Sequence, residues 1–227
     1  MAHLVDIFLQ PGKVFADLRE QPTFAVPLLV IVAFSAVLPL WYFMTVDASW
    51  YGGHMLLASG REMSAADLEK AKAMMPGTHA MAYIGAASAA ITIPIVMSLF
   101  ALYLMLAGKV AGAAMTFKRG LSLATWSSMP TVLGSLVALA GVAMMSPQTT
   151  LESLMLTNAD PLLVHLPLDN PWSTLARSFS LLNFWTWFLL ALGWRVFNRA
   201  SWTQSVVVAM LPSVVIYGGM AAWALLK

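Results

Sequence analysis

The sequence predicts an all-α fold, a polytopic membrane helical bundle of about five transmembrane helices with a short amphipathic helix ahead of the first. Three observations predict it. Of 227 residues, 60% are hydrophobic and 10% charged, whereas a soluble domain is about 25% charged and under half apolar. So few polar side chains cannot cover the apolar ones, and lipid has to. Five apolar stretches follow one another, at about residues 24–45, 80–107, 120–145, 173–196 and 203–226. Each reaches the roughly 20 residues that a helix needs to cross a hydrocarbon core about 30 Å thick. A helix also satisfies its own backbone hydrogen bonds, which an open strand in lipid does not. Finally, Lys and Arg gather in alternate connections, and that asymmetry sets orientation.

The basic connections are the N-terminal segment, with Lys13 and Arg19; the second-to-third, with Lys109, Lys118 and Arg119; and the fourth-to-fifth, with Arg195 and Arg199. The third-to-fourth connection has no Lys or Arg but carries Glu152, Asp160 and Asp169. The first connection is mixed, with Arg61, Lys70 and Lys72 against Glu62, Asp67 and Glu69. The short loops place the N-terminus in the cytoplasm and the C-terminus outside. Tryptophans at span ends agree, because an indole ring is apolar while its N–H wants water. Trp41, Trp50, Tyr51, Trp172 and Trp223 are expected at the outer interface, and Trp194 and Trp202 at the inner one. Trp185 and Trp187 fall mid-span and are expected between helices.

Residues 1–227 read as one integral membrane domain, with an interfacial segment at 1–23 and no tandem repeat. Charged residues Asp6, Lys13, Asp17, Arg19 and Glu20 precede a first apolar run too long for a cleaved signal, so that run is expected to stay as an anchor. In "LVDIFLQPGKVFADLRE", Pro11 suits a first helical turn and Val14, Phe15 and Leu18 share a face, which predicts a short interfacial helix. "MSAADLEKAKAMMPG" predicts a second short helix, capped by Ser64 with Asp67 three residues on and stopped by Pro76-Gly77. "TLESLMLTNADPLLVHLPLDNPW" is too apolar for a free loop and too broken for a span, as an outer lid or shallow re-entrant segment is.

The function classes left are few. Net charge is +2, too small for a nucleic-acid footprint, and the chain has no cysteine, which removes thiolate metal sites and thiol nucleophiles. No Asp, Glu or Lys lies deep in a span, against the usual pattern of ion-coupled carriers. Arg177, near the outer end of the fourth span, is expected to snorkel or to pair with Asp160 or Asp169. His54, His79 and His165 share no metal-ligand spacing, so no metal and no cofactor are expected. Pro27, Pro39, Pro94, Pro130 and Pro212 interrupt four spans and are expected to kink them. Thr92, Ser98, Thr125, Ser127, Ser128, Asn183 and Thr186 are read as packing groups that bond between or within helices. Gly108 and Gly112 hint at a close helix contact.

One stretch carries more. In "TFKRGLSLATWSSMPTVLG" a basic pair, Lys118-Arg119, anchors the inner end of the third span, and Trp126, Ser127, Ser128 and Pro130 follow within it. Pro130 is expected to free the Trp126 carbonyl and bend the helix there, with both serines facing protein and answering freed carbonyls. Phe117, Lys118, Arg119, Trp126, Ser127, Ser128 and Pro130, with Pro11, Phe15, Leu18 and Pro22 upstream, resemble the Yip family of Ypt/Rab-interacting membrane proteins, particularly its bacterial branch. The resemblance implies five spans with this orientation over nearly the whole chain. Eukaryotic members carry a longer cytosolic N-terminal region and an Asp-Leu-Tyr-Gly-Pro motif that here is reduced to Asp17-Leu18 and Pro22. It therefore implies a bacterial inner (plasma) membrane location, or a Golgi or endoplasmic-reticulum membrane for a eukaryotic chain. The expected function is non-enzymatic: a scaffold or modulator of membrane organisation that meets the lipid bilayer, membrane-protein partners or a second copy. The alternative is a passive transporter or lipid conduit built on kinked helices.

Overall fold

The computed structural model describes residues 2–58, 64–167 and 169–226. Arg61 and Glu62, counted above in the first connection, lie outside them. The helices are α1 Ala2–Leu9, α2 Pro11–Glu20, α3 Ala25–Thr45, α4 Ala48–Ala58, α5 Ala65–Met74, α6 Thr78–Val110, α7 Phe117–Ser127, α8 Pro130–Met144, α9 Leu151–Leu154, α10 Ala159–Leu162, α11 Ser173–Ser178, α12 Leu182–Asn198 and α13 Trp202–Leu225. No strand occurs among the described residues, only an isolated antiparallel bridge between Asn158 and Ser180. The protein is thus an all-α polytopic membrane bundle.

Four helical stretches are long and apolar enough to cross a membrane: α3, α6, α7 with α8, and α13. The expected fourth span departs from this. Residues 173–196 are not one helix but α11 and α12, parted at Phe179–Leu181. The backbone there is used sideways: the Phe179 carbonyl accepts from Ala159 N–H, and Leu181 N–H donates to the Thr157 carbonyl, both at 2.8 Å. Groups committed to another segment cannot continue an i→i−4 ladder. The remaining α12 has 17 residues, about 26 Å at 1.5 Å per residue, short of the usual span. Helix α4 was not legible as an element. Asp47 stands just ahead of it, and its carboxylate accepts from Trp50 N–H at 2.7 Å and from the Ser49 hydroxyl at 2.8 Å. Those two donors hold the Asp47 carboxyl below the ordinary carboxylate range. Helix α5 begins as its sequence suggests, with Ser64 Oγ accepting from Asp67 N–H.

The chain forms two compact units. The first comprises residues 1–34, 90–133 and 182–218. Its core holds Ile7, Val14, Phe15, Leu18, Leu104, Leu123, Leu189, Leu190 and Trp194, each at most 1% exposed. The N-terminal segment is two helices, and its apolar face does not lie on lipid: Val14, Phe15 and Leu18 are buried against protein, with α2 packed on α12. A glycine makes that packing possible. A Cβ on Gly193 would collide with Leu123 Cδ1 and stand 2.9 Å from Phe15 Cε1. Trp194, expected at an interface, is fully buried, with no partner for its Nε1. Trp202 does stay exposed, and the Arg195 guanidinium lies 4.8 Å over its ring.

The second unit comprises residues 35–89, 134–181 and 219–227. Its core is smaller: Leu38, Tyr42, Val46, Ala138, Val142 and Leu154. Tyr42, Phe43 and Tyr51 meet edge to face at 5.1–6.2 Å, and the Tyr42 hydroxyl donates to the Thr149 carbonyl at 2.9 Å. The apolar segment after α8 is not loose. Arg177 Nε reaches Asp160 Oδ2 at 3.5 Å and its Nη2 donates to the Leu166 carbonyl at 3.1 Å, while Asn158 Nδ2 donates to the Arg177 carbonyl at 2.6 Å. Arg177 therefore pairs with Asp160, one of the two partners expected for it. Asp160 is 7% exposed, so this partner is what makes a buried carboxylate tolerable.

Candidate functional site

The family-like residues of α7 and α8 lie within the first unit, together with the N-terminal helices. Helix α6 ends before them in a left-handed turn. Gly112 sits at φ +65, Ala113 N–H donates to the Gly108 carbonyl at 2.8 Å, and Gly112 N–H to Lys109 at 3.3 Å. That is the double hydrogen bond of a helix C-cap, and glycine adopts its φ without strain. Gly108 and Gly112 therefore serve a helix end, rather than a crossing of two membrane helices. Thr116 then caps α7, its Oγ1 accepting from Arg119 N–H at 3.3 Å.

The basic pair divides its work. Lys118 is exposed. Arg119 is half-buried and holds two carbonyls: Nη1 donates to Ala114 at 3.1 Å and Nη2 to Arg19 at 3.2 Å. The Arg19 carbonyl belongs to the last turn of α2, where backbone acceptors lack helical partners and the dipole favours a cation. Arg119, expected as a membrane anchor, fastens the end of α2. Seven residues on, Trp126 does the same for the following linker. Its Nε1 donates to the Thr23 carbonyl at 2.9 Å, and its ring, 3% exposed, meets His3 edge to face at 5.9 Å. His3 in turn lies 3.3 Å from the Asp17 carboxylate.

Between Ser127 and Pro130 a short turn at Ser128 and Met129 interrupts the helix. Ser128 takes φ −84, ψ −1, and its N–H is shared by the Ala124 and Thr125 carbonyls. The Trp126 carbonyl is not left free, because Met129 N–H donates to it at 3.3 Å. Pro130 is the first residue of α8, a position where its missing N–H costs nothing. The two serines differ. Ser128 Oγ donates to the Ala124 carbonyl at 2.9 Å and sits 3.9 Å from Met97 Sδ. Ser127 is 1% exposed and its hydroxyl has no partner, as is also true of Ser122. Thr125 bonds back to the Leu121 carbonyl at 2.8 Å.

Asn183, on α12, donates from Nδ2 to the Tyr217 hydroxyl of α13 at 2.8 Å, and one turn on Trp187 Nε1 donates to Ser213 Oγ at 2.8 Å. Tyr103 of α6 donates to the Val208 carbonyl of α13, also at 2.8 Å. Ser98 Oγ returns to its own helix at Pro94. Sequence reading named Trp126, Ser127, Ser128, Pro130 and Asn183 but missed the clamps: Tyr103 with Val208, and the carbonyls of Arg19 and Thr23. A lone Tyr within an apolar run signals that its hydroxyl needs an acceptor, but nothing in the sequence says which. No group of three His, Asp or Glu residues suited to a metal occurs among the described residues.

An all-helical polytopic membrane protein, its N-terminal helices clamped onto a broken transmembrane helix, is the class these observations define. The chain belongs to the Yip1 family: the Yip1 domain matches residues 5–223. It is 25% identical over 210 residues to Membrane protein YknW of Bacillus subtilis (strain 168), across 90% of this chain and 84% of that one. No solved structure matches it.

Proposed function

We propose that this chain is a non-enzymatic scaffold or modulator of membrane organisation in a bacterial inner membrane, working through lipid contacts and helix–helix contacts. The N-terminus lies in the cytoplasm and the C-terminus outside. One observation carries the scaffold reading. Four polar groups that would line a conduit are engaged inside the protein, Ser98 with Pro94, Thr125 with Leu121, Ser128 with Ala124 and Asn183 with Tyr217, and the unpartnered hydroxyls of Ser122 and Ser127 belong to residues at most 1% exposed, so they join no open polar stripe. A conduit needs a continuous polar stripe with free valences, and a catalyst needs a nucleophile beside a base.

Charge supports the orientation. The first unit carries seven basic residues, Lys13, Arg19, Lys109, Lys118, Arg119, Arg195 and Arg199, against Asp6, Asp17 and Glu20, a net +4. Positive charge beside spans is retained on the cytoplasmic side.

Two measurements test this. The chain has no cysteine, so single cysteines are placed freely. At Lys118 or Arg199 they should be shielded from an impermeant thiol reagent in intact cells, and at Ala66 or Asn158 they should react. Labelling of Lys118→Cys from outside inverts the orientation. For the scaffold, the protein is reconstituted into vesicles and fluorescent-lipid exchange is followed. Asn183→Leu should cost stability in detergent, about 1 kcal/mol, with exchange equal to that of empty vesicles before and after. Exchange that needs the protein and disappears in Asn183→Leu makes the conduit reading the correct one.

A further inference from the structure

Helix α6 begins at a pocket of about 440 Å³ in the second unit that has no role above. Such a volume suits a small ligand, whose sites run to about 300–1,000 Å³. Its lining includes Tyr51, Gly52, Glu69, Lys72, Met75 and Thr78, so α4, α5 and the start of α6 all contribute. Two glycines of α4 shape it. A Cβ on Gly53 would stand 3.3 Å from Lys72 Cε and 3.5 Å from its Nζ, and one on Gly52 would stand 3.8 Å from Lys72 Cγ. The lysine stem therefore lies along a bed without side chains, and its ammonium meets Glu69 Oε1 at 3.0 Å. Glycine inside a helix costs stability; here it makes room for a charge.

The first turn of α6 supplies donors. Met81 N–H donates to the Gly77 carbonyl at 3.0 Å, so Gly77 is the residue just ahead of the helix. Glycine has no side chain to cap with. The N–H groups of Thr78, His79 and Ala80 find no acceptor among the described residues, being donors that a helix start leaves over. Thr78 adds a separate signal. It is 8% exposed, it lines the pocket, and its hydroxyl bonds to no group among the described residues. A buried hydroxyl without a partner is costly. Amide hydrogens at a helix start, a hydroxyl and an ammonium make a donor set for an oxyanion such as phosphate.

Glu69 decides which oxyanion. A plain anion placed on Lys72 would face this carboxylate as well. A ligand that carries its own ammonium turns Glu69 from a repulsion into a partner. Depth fits a headgroup. Helix α6 has 33 residues, about 50 Å at 1.5 Å per residue, slightly more than the roughly 40–45 Å of a bilayer with its headgroups. Its first turn thus reaches headgroup level.

We propose that this pocket binds a phosphoethanolamine group, with its phosphate on the first turn of α6, Thr78 Oγ1 and Lys72, and its ammonium on Glu69. A lipid headgroup and soluble phosphoethanolamine present the same chemistry. The lipid source rests on reading the chain as one that works through lipid contacts, and it gives that reading a defined headgroup.

The test is native mass spectrometry of the full chain in detergent, titrated with phosphatidylethanolamine or phosphatidylglycerol of the same acyl chains. Wild type should retain phosphatidylethanolamine severalfold over phosphatidylglycerol. Thr78→Val should cut that retention on the order of tenfold, the loss of one hydrogen bond to a charged group. Without lipid, the same variant should unfold at no lower a temperature than wild type, because it deletes an unsatisfied hydroxyl. A lower temperature would give Thr78 a structural role instead. Lys72→Gln should weaken both lipids. Glu69→Gln should bring phosphatidylethanolamine down to the phosphatidylglycerol level; the Glu69 side chain is 72% exposed, so this variant keeps the fold. Unchanged retention in Thr78→Val and Lys72→Gln overturns the site. Equal retention of the two lipids by wild type overturns the ammonium assignment. Stabilisation by soluble O-phosphoethanolamine with no lipid retained upholds the chemistry and overturns the lipid source. The vesicle exchange assay is independent: a conduit result there leaves this binding measurement standing, and a failed binding measurement leaves the scaffold reading standing.

Discussion

The two units solve the same problem by different means. The first has the larger core, and its interhelical polar contacts are mostly single donors aimed at main-chain carbonyls: Arg119 at Arg19, Trp126 at Thr23, Tyr103 at Val208. The second has a six-residue core and relies on a local polar network around Asp160, Arg177 and Asn158. Their charge differs in sign. Against +4 in the first unit, the second carries five basic and seven acidic residues, a net −2. The contrast shows what each fastening is for. The Arg19 carbonyl is one that a helix end leaves open by construction, and the Val208 carbonyl is one that Pro212, lacking an N–H, cannot satisfy within α13, so donors to them hold helices together without burying a charge pair. An ion pair with side-chain and backbone partners holds the short helices α10 and α11 to each other across the irregular chain between them.

Substitutions that separate the two modes should differ in size. The largest effect is expected at Gly193. Gly193→Leu must displace Leu123 and Phe15 together, pushing α2 and α7 off α12. Overpacking of this kind costs about 1–3 kcal/mol, read as a lower unfolding temperature in detergent. Gly141→Leu is the control in the second unit, because a Cβ there meets only the Leu154 side chain, at 3.1 Å, and should cost less. An equal loss at both positions would mean that the first core is no more tightly packed than the second.

Next in size is Asp160→Ala. It leaves the guanidinium of Arg177, whose side chain is 23% exposed, without its carboxylate. A partly buried charge that loses its partner costs about 2 kcal/mol. Amide exchange should rise at residues 157–166, and exchange in the first unit should not change. Trp126→Phe follows. It keeps a ring against His3 but loses the N–H to Thr23, an expected loss of about 1 kcal/mol. Faster exchange at Thr23 and Phe24 should accompany it. Loss of order near Asn158 instead would break the separation between the two fastenings.

The smallest effect concerns pH. The Asp47 carboxylate is stabilised in the folded state by the Trp50 N–H and the Ser49 hydroxyl, so its pKa is lowered there. For a lowered carboxyl, the stabilising contribution is complete above the unfolded pKa and is lost as pH falls through the lower, folded value. The start of α4 should therefore loosen only in acid below the ordinary carboxylate range. Exchange at Ala48–Trp50 measures it, and Asp47→Asn should remove much of the dependence.

Much of the architecture was legible because it depends on composition alone. A run of twenty apolar residues has one low-energy form in lipid, so residues 24–45, 80–107 and 203–226 all appear as long helices. A cap is local too, and Ser64 takes up the N–H of Asp67, three residues on. Two things escaped the sequence. Hydropathy measures transfer out of water and cannot separate a side chain facing lipid from one facing protein, since acyl chains and leucine are equally apolar. Val14, Phe15 and Leu18 read as a membrane-surface face and prove to be protein core; Trp194 read as an interface residue and is buried. Hydropathy also assigns a long apolar stretch to a helix whether or not its backbone is needed elsewhere. Residues 173–196 break because Phe179 bonds to Ala159 and Leu181 to Thr157, a pairing of segments distant in sequence that only the folded chain creates. The same holds for Arg119, Trp126 and Asn183: each residue type announced a need for a partner, and only the tertiary structure, by bringing a helix end or a facing hydroxyl within 3.2 Å, decided which partner it has.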